Sequence, residues 1–124
     1  MTPIPAVKVL IVDDDEDLLE MVTLMLTANQ MKVTGLTTVT RLLETLQADP
    51  PDVLLMDIFL GDSDGRQICK ALKNSGSYAG FPIFLYSAGD ISTASINEST
   101  ADYFFRKPFE MHQLVTRIHQ TMQK

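Results

Sequence analysis

Val53-Leu54-Leu55-Met56-Asp57 is four apolar residues and an acid, preceded by Pro50-Pro51 and followed by the polar, glycine-bearing Gly61-Asp62-Ser63-Asp64-Gly65. So short an apolar run between turn-formers predicts a strand buried on both faces, as in a parallel sheet. Strand exits of an open parallel sheet line the crevice where ligands bind, so Asp57 is expected to look into a site. The arrangement recurs near the start, where Val7-Lys8-Val9-Leu10-Ile11-Val12 runs into Asp13-Asp14-Asp15-Glu16-Asp17. Two buried strands that end in carboxylates need positive charge between them.

Residues 1–6 form an irregular lead-in with two prolines, and the acidic run after Val12 opens a helix over Glu16 to Ala28. Acids in a first helical turn suit the helix dipole. Leu18, Val22 and Met25, with Leu19 and Leu26, make a core stripe at helical spacing; Met21 and Leu24 fall outside it. Those two are either scattered surface residues or a docking patch for a partner helix. Lys32 to Leu36 is a weaker strand with a glycine, suited to a sheet edge. Thr37 or Thr38 can cap a helix whose Val39, Leu42, Leu43 and Leu46 recur on one face, and Asp49-Pro50-Pro51 ends it.

Beyond Asp57, Asp64 and Gln67 form a capping-box-like pair that opens a helix to Asn74, with Ile68, Cys69 and Leu72 inward. Pro82 to Tyr86 is a fourth buried strand ending in Ser87-Ala88-Gly89. Asp90 to Thr100 is rich in Ser, Thr and Asn, which compete with the helical backbone, so a short or mobile helix is expected. Tyr103 to Arg106 is a fifth strand, followed by Lys107-Pro108-Phe109 and a helix over Met111 to Met122. Strands alternating with helices over this length predict a doubly wound α/β sandwich with a five-stranded parallel sheet and five helices.

The 124 residues suffice for one domain with a core of its own. A net charge of −6 argues against binding of nucleic acid or an anionic membrane surface by this domain. One cysteine, Cys69, cannot form an internal disulfide, and its place on a helix's inner face makes it a packed hydrophobe. With no apolar run long enough to span a bilayer and no signal-peptide pattern at the N-terminus, a cytoplasmic protein is expected.

The strand exits collect Asp13 and Asp14, Asp57, Ser87 and Lys107. Three carboxylates in one crevice repel one another, and a hard divalent cation resolves that repulsion; Mg2+ accepts a few carboxylates and completes its shell with water or phosphate oxygens. A lysine point charge and a hydroxyl donor suit the same phosphoryl group, so the site is expected to transfer phosphoryl groups. Asp57 can act as the carboxylate nucleophile. Aspartyl-phosphate phosphatases carry a second acid two residues on; here Phe59 stands there, so the phosphorylated state should persist.

These motifs, taken together and in order, resemble the receiver domain of two-component response regulators. The resemblance rests on Val12-Asp13-Asp14-Asp15, Met56-Asp57, Asp64-Gly65, Ser87-Ala88 and Lys107-Pro108-Phe109, and runs from Val7 to the C-terminus. It implies a flavodoxin-like receiver fold with strand order 2-1-3-4-5 and a single receiver domain over 1–124. It implies that Asp57 is the phosphoacceptor, supplied by a sensor histidine kinase or a histidine phosphotransfer protein. Mg2+ would be held by Asp14, Asp57 and the backbone carbonyl of Phe59, with Asp13 acting through water. Lys107 would pair with the phosphoryl group, Ser87 would swing to bond it, and Phe104 would turn inward with that swing. The Lys107–Pro108 peptide would be cis. Met21 and Leu24 lie on the helix that receivers commonly use to dock the histidine-bearing partner.

Such a domain is not an enzyme acting on an external substrate; it catalyses only its own phosphorylation and slow dephosphorylation. Its output would pass to a downstream protein or an effector domain outside this chain, and a phosphorylation-dependent dimer is compatible with it. Gly61 stands where many receivers have proline, and Phe104 where tyrosine is commoner. The alternative is a pseudo-receiver that keeps the fold as a phosphorylation-independent interaction module. A phosphatase of the haloacid dehalogenase type is disfavoured by Phe59. His112 and His119, on the last helix, are expected to be exposed and without a phosphotransfer role.

Overall fold

The structure, a computed structural model, describes residues 6–78, 80–89, 91–107 and 110–123. Five strands, β1 (Lys8–Val12), β2 (Lys32–Leu36), β3 (Val53–Asp57), β4 (Ile83–Ser87) and β5 (Tyr103–Arg106), form one parallel sheet in the order β2-β1-β3-β4-β5. The helices are α1 (Glu16–Ala28), α2 (Leu42–Ala48), α3 (Gly65–Asn74), α4 (Thr93–Ser99) and α5 (Met111–Met122). This is the doubly wound architecture expected, with the strand order that puts β1 and β3 side by side.

Alternation along the strands divides the core in two. Leu10, Val12, Leu54, Met56, Ile83 and Leu85 face α2 and α3, whereas Val9, Ile11, Val53, Leu55, Phe84 and Tyr86 face α1 and α5. β3 and β4 are buried along their whole length, and β2 is largely exposed, as befits an edge. The parallel register runs Val12 beside Met56 and Asp57 beside Tyr86, so these strands end at nearly the same height. That common level gathers the polar residues following β1, β3 and β4.

Local chemistry explains the element boundaries. The Asp15 carboxylate caps α1 by accepting from the Asp17 and Leu18 N–H groups, and Asp64 caps α3 by accepting from the Arg66 N–H. Ser92 caps the short α4 through the Ser95 N–H at 3.1 Å, and Thr100 ends it in the left-handed region at φ 61°. α2 departs from expectation: it begins at Leu42 behind Arg41 with no side-chain cap, not at Thr37 or Thr38. Two stripe assignments also fail. Met25 is 42% exposed and Leu43 is 53% exposed, because α1 centres its inward face on Val22 and Leu26, and α2 on Leu42 and Leu46. Helical spacing identifies an apolar arc, and the neighbouring layer decides how much of that arc is covered. His112 and His119 are exposed, as expected.

Beyond Asp57 the chain makes a feature absent from the sequence reading, a small antiparallel hairpin pairing Phe59–Leu60 with Ser63–Asp64. Gly61 turns it at φ 59°, a conformation that glycine adopts without the steric cost of a side chain. The chain then enters α3 at Gly65, whose N–H donates to the Ile58 carbonyl at 2.7 Å. A Cβ there would lie 2.4 Å from the backbone oxygen of Asp57.

Candidate functional site

The β1 exit supplies Asp13 and Asp14. Asp13 has no solvent exposure, and both its oxygens are engaged: Oδ1 accepts from the Asp15 N–H at 2.8 Å and Oδ2 from the Tyr86 hydroxyl at 2.6 Å. Asp14 is exposed, with Oδ2 accepting from the Gly61 N–H across the hairpin at 3.2 Å. Asp15 is the α1 cap, in keeping with its expected role as a helix-start charge.

The β3 exit supplies Asp57, 6% exposed. Its Oδ2 accepts from Lys107 Nζ at 3.2 Å, and its Oδ1 lies 3.4 Å from the Phe59 N–H. Burial pushes the Asp57 carboxyl above the ordinary aspartate value, the Lys107 charge opposes that shift, and the Asp13 charge adds to it. Lys107, just past β5, is held by its own N–H to the Ser87 carbonyl at 2.8 Å. Its Nζ reaches Asp57, stands 3.5 Å from Asp13 Oδ2, and lies 5.0 Å from the centre of the Tyr86 ring. Ser87 is fully buried, and its Oγ accepts from the Gly89 N–H at 3.1 Å.

Of the residues anticipated at the strand exits, the three acids and Lys107 therefore converge, and the Ser87 backbone is bonded to that of Lys107. Asp13, Asp14 and Asp57 each offer an oxygen, and these three atoms lie within 4.8 Å of one another. An all-oxygen donor set of three carboxylates, two of them buried and sharing one lysine, fits a hard divalent cation such as Mg2+ and offers no soft ligand for a thiophilic metal. A cation there would also offset the Asp13 charge, which adds to the effect of burial on Asp57.

Other anticipated residues lie further out. Phe104 is partly buried against the core on the α4 side, with the Arg106 guanidinium 5.8 Å from its ring centre. Met21 and Leu24 are exposed on α1, where Met25 joins them. Pro108, for which a cis peptide was expected, lies outside the described residues.

The sequence reading missed Tyr86. An aromatic in a doubly buried strand passes as packing, and the available signal was its hydroxyl, which needs a partner when buried. It also missed Arg66. This guanidinium binds Asp64 through two nitrogens, donates to Ser95 Oγ on α4 at 2.8 Å, and stacks 5.9 Å from the Phe59 ring centre. No helix among the described residues is long and apolar enough to cross a membrane.

Comparison with known proteins bears on this geometry. The response regulator MprA of Mycobacterium ulcerans is 27% identical over 96% of this chain, and the DNA-binding response regulator MtrA of Mycolicibacterium paratuberculosis is 29% identical over 94%. The chain spans about half the length of these curated relatives, 51% and 52% respectively. Among solved structures, a candidate response regulator from Chloroflexus aurantiacus superposes with a TM-score of 0.89 at 30% identity, covering 97% of this chain and all of that one. The model of the response regulator receiver domain matches residues 9–119, from β1 into α5, and takes in every strand exit described above. With fold, relatives and family model in agreement, the chain belongs to the response regulator receiver domains of two-component signalling.

Proposed function

We propose that this receiver takes a phosphoryl group onto Asp57 in a Mg2+-dependent reaction and so acts as a phosphorylation-controlled switch. The observation that carries the reading is Asp57 itself, an aspartate at the sheet's centre held 3.2 Å from Lys107 and within reach of two further carboxylates. Asp14 and Asp57, with the Phe59 carbonyl, would hold the metal, and Asp13 would act through water. The metal, when bound, supplies positive charge to the phosphoryl oxygens in the transition state.

The chain's own groups divide the remaining work. An Asp57 oxygen forms a bond to phosphorus as the P–N bond of a partner's phosphohistidine breaks; the electron pair leaves with the imidazole nitrogen, which takes up a proton. Lys107 follows the charge from the carboxylate to the phosphoryl group, and the Ser87 hydroxyl, now an acceptor for Gly89, rotates to donate to it. The side chain of Phe59 has no acid or base with which to activate water, so the aspartyl phosphate persists long enough to signal. Movement of Ser87 makes room for Phe104 and alters the surface formed by α4, β5 and α5.

The phosphodonor is a sensor histidine kinase or a histidine phosphotransfer protein. Its histidine-bearing helix would dock on α1, where Met21, Leu24 and Met25 are exposed beside the exposed acids Asp17 and Glu20. Such a patch suits a partner with an apolar ridge and a basic rim. Residues 1–124 would act as one receiver unit whose output reaches a downstream protein or the effector region of a longer chain.

The test is intact mass after incubation with Mg2+ and acetyl phosphate. One added phosphoryl group is expected, absent from Asp57→Asn and from the metal-free control. No adduct on folded protein, with a known receiver labelling in parallel, would overturn the reading in favour of a phosphorylation-independent interaction module.

A further inference from the structure

Tyr86 occupies the penultimate position of β4, one residue before Ser87 and directly opposite Asp57 in the register. Its ring is buried in the core layer facing α1 and α5, and its backbone carbonyl accepts the Ile58 N–H at 3.0 Å, so both ends of the residue are immobilised beside the β3 exit. From that position the hydroxyl crosses to β1 and donates to Asp13 Oδ2 at 2.6 Å.

Asp13 has two anchors of different origin. Its Oδ1 is held by the Asp15 backbone, at the start of α1, and its Oδ2 by Tyr86, on β4. Two donors on rigid elements leave the carboxylate one orientation. The third neighbour, Lys107, is a long flexible cation whose Nζ sits 3.2 Å from Asp57 Oδ2 and 3.5 Å from Asp13 Oδ2. The two carboxylates compete for it. The tyrosine proton occupies part of the acceptor capacity of Asp13 Oδ2 and so tips this competition toward Asp57, where the phosphoryl group would form.

We propose that the Tyr86 hydroxyl is a positioning group of the acid site, fixing Asp13 toward the bound cation and leaving Lys107 to Asp57. The inference rests on the metal-dependent reading above and adds to it a residue that touches neither metal nor phosphoryl group. Hydrogen bonds that orient carboxylates around a metal, whether these bind it directly or through water, govern metal affinity through the geometry they impose. Tyr86→Phe is a clean probe because it keeps the buried ring and its stacking under Lys107 and removes one oxygen.

The experiment is a Mg2+ titration of the full chain, followed by 1H–15N NMR with no phosphodonor present. For folded Tyr86→Phe the Mg2+ dissociation constant should rise about tenfold over wild type. Unchanged or tighter Mg2+ binding by the folded variant overturns the proposal and leaves the Asp57 reading intact; absence of Mg2+ binding by the wild type overturns both. A purely structural tyrosine would lower the melting temperature without moving Mg2+ affinity. Should the variant not fold, tyrosine labelled with 13C at Cζ decides the matter in the wild type, with the three signals assigned through Tyr78→Phe and Tyr103→Phe. A Tyr86 signal that shifts on Mg2+ saturation supports the proposal, and one that stays in place overturns it.

Discussion

Asp13 and Asp57 leave neighbouring parallel strands at the same level, both are buried, and both face Lys107, yet they are held in opposite ways. Asp13 is held at both ends: a backbone N–H and a tyrosine hydroxyl bind its two oxygens at 2.8 and 2.6 Å. Asp57 has a long 3.4 Å contact to the Phe59 N–H and one cation. A carboxylate tied on both oxygens is an anchor, and one whose main partner is a mobile lysine can still offer an oxygen to an electrophile. Reactivity at this site follows from what each acid lacks as much as from what surrounds it.

The comparison breaks if the two acids are interchangeable, and labelling tests this most sharply. Asp57→Asn should abolish the phosphoryl adduct, whereas Asp13→Asn should still label, more slowly; mass spectrometry over a time course would show the reverse order if the roles were exchanged. Stability should separate them in the other direction. Asp13→Ala leaves the Tyr86 hydroxyl and the Asp15 N–H without their acceptor and should cost about 3 kcal/mol in urea denaturation.

Asp57→Asn should stabilise the metal-free protein at neutral pH by about 1 kcal/mol, as at other sites where function keeps a charge against its surroundings. The sign follows from the raised Asp57 carboxyl. The folded state holds that proton more tightly than the unfolded chain. Relative to an unshifted carboxyl, Asp57 therefore adds stability below the ordinary value of 3.8 and loses it as pH rises through the folded-state value. The advantage of Asp57→Asn should accordingly disappear in acid. The smallest effect is that pH dependence itself, read by urea denaturation of the two metal-free proteins at neutral and at acidic pH.

Much of this was legible in the chain. Runs such as Val53-Leu54-Leu55-Met56 declare a doubly buried strand, and the order of acids and lysine at strand ends foretold the cluster of Asp13, Asp14, Asp57 and Lys107, because a parallel sheet brings successive exits to one edge. What escaped depends on tertiary neighbours. Whether Met25 and Leu43 are covered is decided by the layer opposite them, and the partner of the Tyr86 hydroxyl lies 73 residues away in sequence. The Phe59–Asp64 hairpin escaped because two-residue strands leave no periodicity to detect.

Gly65 carries a last consequence. With a hypothetical Cβ only 2.4 Å from the Asp57 carbonyl oxygen, α3 can start where it does only because this residue ends at its α-carbon. A methyl group would displace the backbone of Asp57, although residue 65 brings no side chain to the acid cluster. In a survey of tolerated substitutions, position 65 would therefore score like a member of the reacting set. Its intolerance would report a shape requirement, a volume that must stay empty for the chemistry next door to have its address.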